Sequence, residues 1–460
     1  MTQAMSLRKS LLASRKDRNR IAVCIIGGKN ESFDLARLFT EAGYKTINFD
    51  TDQQSINHRD VIVLKSASSN HSSVQTLGKE NNKHHSQTNY LIREIVASSD
   101  VIVISILPFF NTKKKPDYYP FEKYCKEIGM GLCQGSLILF ENATAPGTID
   151  DSAIRIIEAA SGLKAGTDFG VAYSAIIMNK NNSFRNNSSN FVIIGGINKK
   201  SLKVATLVLD TISQEHKIKL KDIKTAEALR VFFSALKETN LALSNEFAFY
   251  CEESGIDFRE IMKTARQLPI PFPFSSGLSE SSLEKECYIL LEDAENFNIK
   301  LRMTDLACKI NNKMEKHVLH IIWNNLKECG KQIRKAKIVF FGISNNLRLI
   351  ERSRSTVGSL ITKLEKKGAL VTVFDPSYSY KILKSFGYPT YRSFAKSVEG
   401  TDCLVFFIER NSFRKINLKK IKHSVNMPAS IIDLGQVINQ TKAKKEGFLY
   451  YGLGRGDRAK

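Results

Sequence analysis

The residues from Ile21 to Asp50 constrain the fold most, because they have the pattern of a strand, a helix and a second strand. The run IAVCIIGG is apolar, rich in β-branched residues and ends in glycine. A helical pattern follows over residues 35–39, and TINFD ends the second strand at Asp50. A strand that ends in glycine and leads into a helix, with an acid about 20 residues later, is typical of a nucleotide-binding Rossmann unit.

The same alternation continues through the first part of the chain. We expect strands at 101–107, 137–140, 170–173 and 191–194, with helices near 121–128 and 149–160 between them. This alternation predicts a parallel α/β sheet. Residues 66–89 are rich in Ser, Asn and His without apolar periodicity, so we expect a solvated loop there.

The pattern changes twice after residue 202. Helical periodicity dominates to about residue 326 and includes a long helix near 226–253, with apolar residues along one side. A polar linker precedes KIVFFG, after which strand and helix patterns return. The expected boundaries are a basic extension (1–20), a Rossmann domain (21–201), a helical domain (202–326), a linker (327–336) and a second, Rossmann-like α/β domain (337–460).

Length and composition exclude several classes of protein. The chain has 460 residues, of which 42% are hydrophobic, enough for roughly three domains. Its longest apolar run, 101–110, is about half of the ~20 residues that cross a bilayer, so we expect no membrane span. The eight cysteines form no CxxC pair, which is typical of reduced thiols and a cytoplasmic protein rather than of a disulfide framework or zinc site.

The strong positive charge has two interpretations. The chain has 68 Lys and Arg against 46 Asp and Glu, a formal net charge of +22. Such a surface attracts phosphate on nucleotides, nucleic acids or acidic lipids, but no groove-reading motif accompanies it. The Arg-rich start of the chain also has the composition of a transit peptide, although a plain basic extension before the first strand is the simpler interpretation.

Several strings along the chain resemble those of the UDP-glucose/GDP-mannose dehydrogenase family. They are LARLFTEAGYKTINFD (35–50), KKPD (114–117), APGTIDD (145–151), SGLKAGTDFGVAYS (161–174), AEALRVFFSALKETNLALSNE (226–246) and YYGLGRG (450–456). The resemblance implies an NAD-binding first domain, a central helix that forms a dimer and a C-terminal domain for the nucleotide sugar. In this family two NAD molecules oxidise the sugar alcohol to a carboxylate, through a thiohemiacetal on a catalytic cysteine.

The resemblance also implies that the catalytic positions are degenerate. Ser282 stands at the position of the nucleophilic cysteine, and a serine would need an adjacent base that this segment does not supply. Arg230 replaces the catalytic lysine, and arginine does not readily exchange a proton. The remaining equivalents are Ser234 for an asparagine, Ala143 for a threonine, Ile176 for a glutamate and Glu286 for an aspartate.

Cofactor and substrate recognition are altered as well. The three glycine positions of the dinucleotide loop are Gly27, Lys29 and Ser32, so bulk is added where the backbone approaches pyrophosphate. Asp50 remains as the ribose ligand. We therefore expect NAD binding, if it occurs, to be weak. In the C-terminal domain the family's Phe-Lys and Arg positions are Asn345, Asn346 and Ser353, although Arg348, Arg352 and Arg354 lie close by in the sequence.

Two alternatives concern other reactive side chains. Cys287, beside Glu286, is an alternative nucleophile, but a buried free cysteine usually serves as a small hydrophobe. His317 and His320, three residues apart on a predicted helix, could share a face as ligands, but no HExxH-like context accompanies them. His84 and His85 have no neighbouring ligands at a suitable spacing. We predict ordinary packing and surface roles for these groups and no metal.

Three functions remain open at this point. The first is a degenerate family member that acts as a scaffold, regulator or ligand-binding protein in polysaccharide synthesis, as a homodimer or paired with an active paralogue. The second is an NAD-linked oxidoreductase with two-electron chemistry. The third, a binder of nucleic acid or acidic surfaces, rests on the charge alone.

Overall fold

A computed structural model of the chain describes residues 18–51, 61–64, 74–77, 85–111, 113–177, 191–265, 267, 276–279, 281–344, 352 and 355–455. The predicted basic extension therefore lies outside the described residues up to position 17. The chain divides into two compact units. One comprises Met1–Ser234 with Tyr288–Lys300, and the other comprises Ala235–Cys287 with Leu301–Lys460.

The first unit contains a nine-stranded sheet with helices on both faces. Its strands and helices, in chain order, are β1 (Ala22–Gly27), α1 (Lys29–Glu41), β2 (Lys45–Asp50), β3 (Val61–Leu64), β4 (Val74–Leu77), α2 (His85–Ala97), β5 (Val101–Ser105), the short β6 (Phe109–Phe110) and β7 (Pro116–Asp117), α3 (Tyr119–Gly131), β8 (Leu137–Phe140), α4 (Ile154–Ser161), β9 (Gly170–Ile177), β10 (Phe191–Gly196), α5 (Lys199–Ile212) and β11 (His216–Lys219). One turn of π-helix, Ile149–Ala153, leads into α4.

The sheet is parallel only in its centre. Its strand order is β11-β10-β9-β8-β5-β1-β2-β3-β4, with antiparallel pairing of β9 with β10, β2 with β3 and β3 with β4. The predicted parallel α/β sheet is thus confirmed in its centre, and antiparallel pairs are added at both flanks. A parallel pair needs a long crossover, and the sequences 51–60 and 178–190 have no helical periodicity to supply one.

The loop predicted for residues 66–89 is also wrong in part. The strand β4 lies inside this segment and α2 begins at His85. The apolar residues at the two ends of β4, Val74 and Leu77, flank two polar residues, which is too short a pattern to separate from a loop by sequence. His84 lies outside the described residues.

The core of the first unit follows the alternation of side chains along the strands. Ile26, Ile104 and Phe140 lie in a buried cluster on one face of the sheet. Residues one position away, such as Ile25 and Val103, lie in a second cluster on the other face. Successive side chains of a strand point to opposite faces, so a run of apolar residues is needed where helices cover both.

Four helices follow in the middle of the chain. They are α6 (Ile223–Ser254), α7 (Phe258–Ala265), α8 (Ser281–Asn296) and α9 (Arg302–Glu328). The 32-residue α6 confirms the long helix expected near 226–253. The helix α9 extends to Glu328, past the start of the predicted linker at residue 327.

The second unit contains a five-stranded parallel sheet in the order β13-β12-β14-β15-β16. Its remaining elements are β12 (Lys337–Phe341), α10 (Thr356–Lys366), β13 (Leu370–Phe374), α11 (Tyr380–Ser385), α12 (Phe394–Val398), β14 (Cys403–Phe406), α13 (Asn411–Arg414), α14 (Leu418–Lys422), β15 (Ser430–Asp433), α15 (Gln440–Lys445) and β16 (Leu449–Gly452). The order in which successive strands are added reverses between β12 and β14, and open α/β sheets bind ligands at such a switch point. The predicted Rossmann-like fold is confirmed.

In the part of the chain that the structure describes, no helix is both long and apolar enough to cross a membrane.

Candidate functional site

The dinucleotide crevice of the first unit lies at the carboxyl ends of β1 and β2. Gly27 pairs with Asp50 in register, and the Thr51 amide donates to the Gly27 carbonyl oxygen at 3.0 Å. Asp50 is 6% exposed. The two residues that sequence analysis placed at the glycine loop and the ribose are therefore neighbours at one edge of the sheet.

The backbone around this edge explains which glycine is indispensable. A Cβ at Gly27 would lie 2.5 Å from the Ser105 carbonyl oxygen of β5, so only glycine allows the two strands to pair this closely. The helix α1 begins at Lys29, and its N-cap residue Gly28 provides no side-chain hydrogen bond. The first-turn amides of a helix have no partner within the helix itself, and pyrophosphate sites use such amides. The Lys29 side chain lies outside the described residues.

Ser32 is accommodated within the first turn of α1. Its side chain is fully buried, and its hydroxyl donates to the Gly28 carbonyl oxygen at 2.8 Å. Its hydroxyl group is therefore hydrogen-bonded within the helix.

Two buried polar side chains near the carboxyl end of β8 lack partners among the described residues. The Asn142 amide and the Ser174 hydroxyl are each 1% exposed and have no hydrogen-bond partner there. Asn142 follows the end of β8, and Ser174 lies one residue past the Phe140–Tyr173 pair of β8 and β9. Buried polar groups are normally satisfied, so these two are available to a polar ligand.

A buried carboxylate, Glu227, holds the loop that follows β8. Its oxygens accept hydrogen bonds from the Thr144 hydroxyl at 2.8 Å, the Gly147 amide at 2.7 Å and the Ile149 amide at 3.2 Å. Burial raises the pKa of Glu227 to about 7, although these hydrogen bonds oppose the rise. Sequence analysis missed this residue. The signal that could have identified it is an acidic residue on the apolar face of a predicted helix.

Two of the positions that the sequence analysis predicted to be substituted, Ala143 and Arg230, lie in this loop and against it. Ala143 is fully buried and has no hydroxyl to offer. The Arg230 guanidinium of α6 donates to the Glu141 carbonyl oxygen at 2.9 Å. Ser234, one turn further along α6, is 3% exposed, while Ile176 lies in β9 with its side chain outside the described residues.

The positions aligned with the catalytic cysteine segment lie on α8. Ser282 is the second residue of this helix, and its side chain lies outside the described residues. Glu286 is 7% exposed and Cys287 is fully buried. A hydrogen bond with Cys308 and burial raise the pKa of the Cys287 thiol, so its reactive thiolate is disfavoured.

A buried polar network, which sequence analysis also missed, fixes the segment before α8. The Asn245 amide group bonds both the amide and the carbonyl of Gly277, at 2.7 and 3.0 Å. Asn311 donates to Glu238 Oε2 at 2.9 Å, and the Ser279 hydroxyl is hydrogen-bonded to the same carboxylate. Hydrogen bonds thus connect Gly277 and Ser279 to α6. Asn311 of α9 bonds the same two α6 side chains, Asn245 and Glu238.

At the topological switch of the second sheet the described cations are already engaged. Arg410 contacts Asp375 at 2.8 Å, and Arg352 pairs with Glu365 and donates to the Gly387 carbonyl oxygen at 3.3 Å. The other C-terminal positions singled out by sequence, Asn345, Asn346, Arg348, Ser353 and Arg354, lie outside the described residues.

The helical histidines have structural partners. His317 Nε2 lies 3.0 Å from Glu252 Oε2, and His320 bonds Asn324 at 2.9 Å. Among the described residues no group of three or more His, Cys, Asp or Glu side chains could hold a metal ion.

Comparison with known proteins defines the class. Residues 22–213 match the NAD binding domain of the UDP-glucose/GDP-mannose dehydrogenase family, residues 224–313 its central domain and residues 352–440 its UDP binding domain. The chain belongs to the UDP-glucose/GDP-mannose dehydrogenase family.

Individual relatives are distant but extend over most of the chain. The UDP-N-acetyl-D-mannosamine dehydrogenase of Methanocaldococcus jannaschii is 25% identical over 447 residues, which cover 95% of this chain and 97% of the relative. The Pyrococcus horikoshii enzyme of the same name is 26% identical over 346 residues, covering 74% and 78%. A solved structure of the UDP-D-ManNAc dehydrogenase from Pyrococcus horikoshii shares the fold, with a TM-score of 0.67, 21% identity and coverage of 95% of this chain and all of the other.

Proposed function

We propose that this chain is a ligand-binding member of the family that does not carry out the four-electron oxidation of a nucleotide sugar. It acts as a scaffold or regulator in polysaccharide synthesis, as a homodimer or together with an active paralogue. The observation that carries this proposal is the Arg230 contact with the Glu141 carbonyl oxygen. An arginine keeps its proton and is held on the backbone where the family has a lysine able to exchange one.

The buried Ala143 supports the same conclusion, because it cannot replace the hydroxyl of the family's threonine. The family resemblance places Ser282, Ser234, Ile176 and Glu286 at the other catalytic positions. Nucleophile, proton transfer and charge stabilisation are separate contributions to the family's reaction. Loss of all of them is not repaired at any single position.

NAD is the proposed cofactor of the first unit. The first-turn amides of α1 would hold the pyrophosphate and Asp50 the ribose hydroxyls. The unsatisfied Asn142 and Ser174 groups offer further polar contacts at the same edge. NAD, when bound in a dehydrogenase, accepts a hydride from the substrate. We propose weak binding here, because Lys29 and Ser32 stand at two positions that favour glycine.

Ligand identification tests the proposal. Native mass spectrometry of the gently purified chain should detect a nucleotide or nucleotide sugar, or titration calorimetry should detect NAD and a UDP- or GDP-sugar. Binding without turnover supports the proposal. The absence of binding for every one of these compounds would contradict it. Reduction of one NAD per sugar would favour the alternative, a two-electron oxidoreductase.

A further inference from the structure

The second unit contains a cavity of about 920 Å³ that none of the functions above uses. Its walls come from two segments that follow the carboxyl ends of β14 and β15, residues 413–419 and 437–446, together with Arg259 and Arg455. The nucleotide crevice expected of this sheet lies at the switch between β12 and β14. The cavity lies one strand further along the sheet, at the segments that follow β14 and β15.

The walls of this cavity are strongly basic. Among the described residues they carry one carboxylate, Glu446, and the following seven cationic side chains: Arg259, Arg414, Lys415, Lys419, Lys442, Lys445 and Arg455. Two further acids pair with wall arginines, Glu409 with Arg414 and Asp257 with Arg455. A fourth acid, the buried Asp433, interacts with Arg259 and accepts from the wall amides of Val437 and Ile438. Seven cations against four acids leave an excess of three positive charges in one concave site.

One of these cations is held rigidly. The Arg455 side chain is 9% exposed, with its Nε 3.6 Å from Asp257 Oδ2. Its guanidinium also donates to the Gln440 side chain and lies over the Tyr450 ring, 5.4 Å from the ring centre. A fixed guanidinium is suited to recognising a phosphate oxygen because little freedom is lost on binding.

The lysines of the wall are not neutralised by the rest of the described chain. Lys415, Lys419, Lys442 and Lys445 are exposed, and no ion pair is found for them among the described residues. Four ammonium groups around one concave site repel each other and attract anions. The favourable occupant is therefore an anion that carries several charges on one molecule.

Among the described residues, the cavity wall offers no exposed aromatic ring on which a nucleobase could stack. Its one aromatic residue among those described is Phe413, which is 2% exposed and so presents no ring for stacking. We propose that this cavity is a binding site for an oligophosphate, in which the phosphate chain itself is recognised. The proposal is independent of NAD binding in the first unit.

Calorimetry on the full chain at about 0.15 M salt tests this site, with inorganic triphosphate as the probe. The test variant is Lys442→Gln with Lys445→Gln, which removes two wall charges on α15. The matched control is Lys381→Gln with Lys384→Gln, two exposed lysines with the same spacing on α11, outside the cavity. Circular dichroism confirms that each variant is folded.

We expect triphosphate to bind the unmodified chain with a Kd below about 1 mM. The Lys442/Lys445 variant should bind about tenfold more weakly, and the control should be unchanged within about twofold. ATP, which adds a nucleoside to the same chain, should bind about as tightly as triphosphate.

Three results would overturn the proposal. The first is no binding of triphosphate to the unmodified chain in this range. The second is equal weakening in the test and control variants, which would indicate diffuse surface charge, as in a nucleic-acid-binding face. The third is a much tighter binding of ATP than of triphosphate, which would show that a nucleoside is recognised.

Discussion

The carboxylate of Glu227 on α6 accepts a hydrogen bond from the backbone amide of Gly147 at 2.7 Å. This bond, with those from Thr144 and Ile149, joins the start of the central helix to the loop after β8. The loop contains Ala143, one of the positions that the sequence analysis predicted to be substituted relative to the family. A single buried acid therefore accepts hydrogen bonds from three residues of this loop.

Stability should depend on pH through Glu227. Its folded pKa of about 7 lies above the ordinary value of 4.5, because burial penalises the charged form. Its contribution to the free energy of unfolding is largest below pH 4.5 and falls as the pH rises to about 7. A shift of this size corresponds to about 3 kcal/mol.

Glu227→Gln removes this pH dependence. The variant should be less stable than the unmodified chain at pH 5, because an amide hydrogen then faces a backbone donor, and the difference should shrink by pH 8. Urea unfolding at both pH values measures it, with Glu246→Gln on the same helix as an exposed control. A constant difference between the two pH values would show that Glu227 is not the titrating group.

NAD affinity should respond to substitutions at the carboxyl edge of β1 and β2. Asp50→Ala removes the ribose acceptor and should reduce binding about tenfold, whereas Ser32→Gly should strengthen it several-fold. Calorimetry with NAD compares both with Glu41→Ala, an exposed acid at the other end of α1. Equal binding by Asp50→Ala and the unmodified chain would place the cofactor elsewhere.

The long helix should mediate dimerisation. Several large apolar side chains of α6 are exposed, Phe232 and Leu236 each at 56% and Tyr250 at 66%. Leu236→Glu should shift the protein from a dimer towards a monomer of 51.8 kDa, because a charge would enter the apolar contact. Light scattering measures the mass. An unmodified chain that is monomeric at all concentrations would contradict the prediction.

Thiol labelling should exclude Cys287 as a nucleophile. Of the eight cysteines, Cys133 is exposed and seven are buried. Iodoacetamide should therefore modify Cys133 rapidly in the folded chain and all eight after denaturation. Mass spectrometry of the labelled peptides assigns the sites, with Cys133→Ser as the control. Rapid native labelling of Cys287 would favour it as a displaced nucleophile.

The architecture could be predicted from sequence because its signals are local and repeated. The sequences of β1 and β12 are apolar and rich in β-branched or aromatic residues. The 32 residues of α6 have a continuous helical pattern. The antiparallel edge formed by β3 and β4 was not predicted, because each of these strands has only four residues and its sequence pattern is too short to identify.

The candidate site could be predicted only in part. The juxtaposition of Gly27 and Asp50 follows from two adjacent parallel strands that end together. The partners of Glu227 could not be predicted, because they are backbone amides brought close by tertiary packing rather than by spacing in the sequence. The same is true of Arg455, whose partners Asp257 and Gln440 are distant from it along the chain.

Steady-state production of NADH is the most direct measurement of the central proposal. The purified chain is incubated with NAD and, separately, UDP-glucose, a UDP-N-acetylhexosamine and GDP-mannose, with product analysis by mass spectrometry. We expect no sugar acid from the unmodified chain, and none from Ser282→Cys alone, because Arg230, Ser234, Ala143 and Ile176 remain. Formation of two NADH per sugar consumed, with the matching uronic acid, would contradict the account.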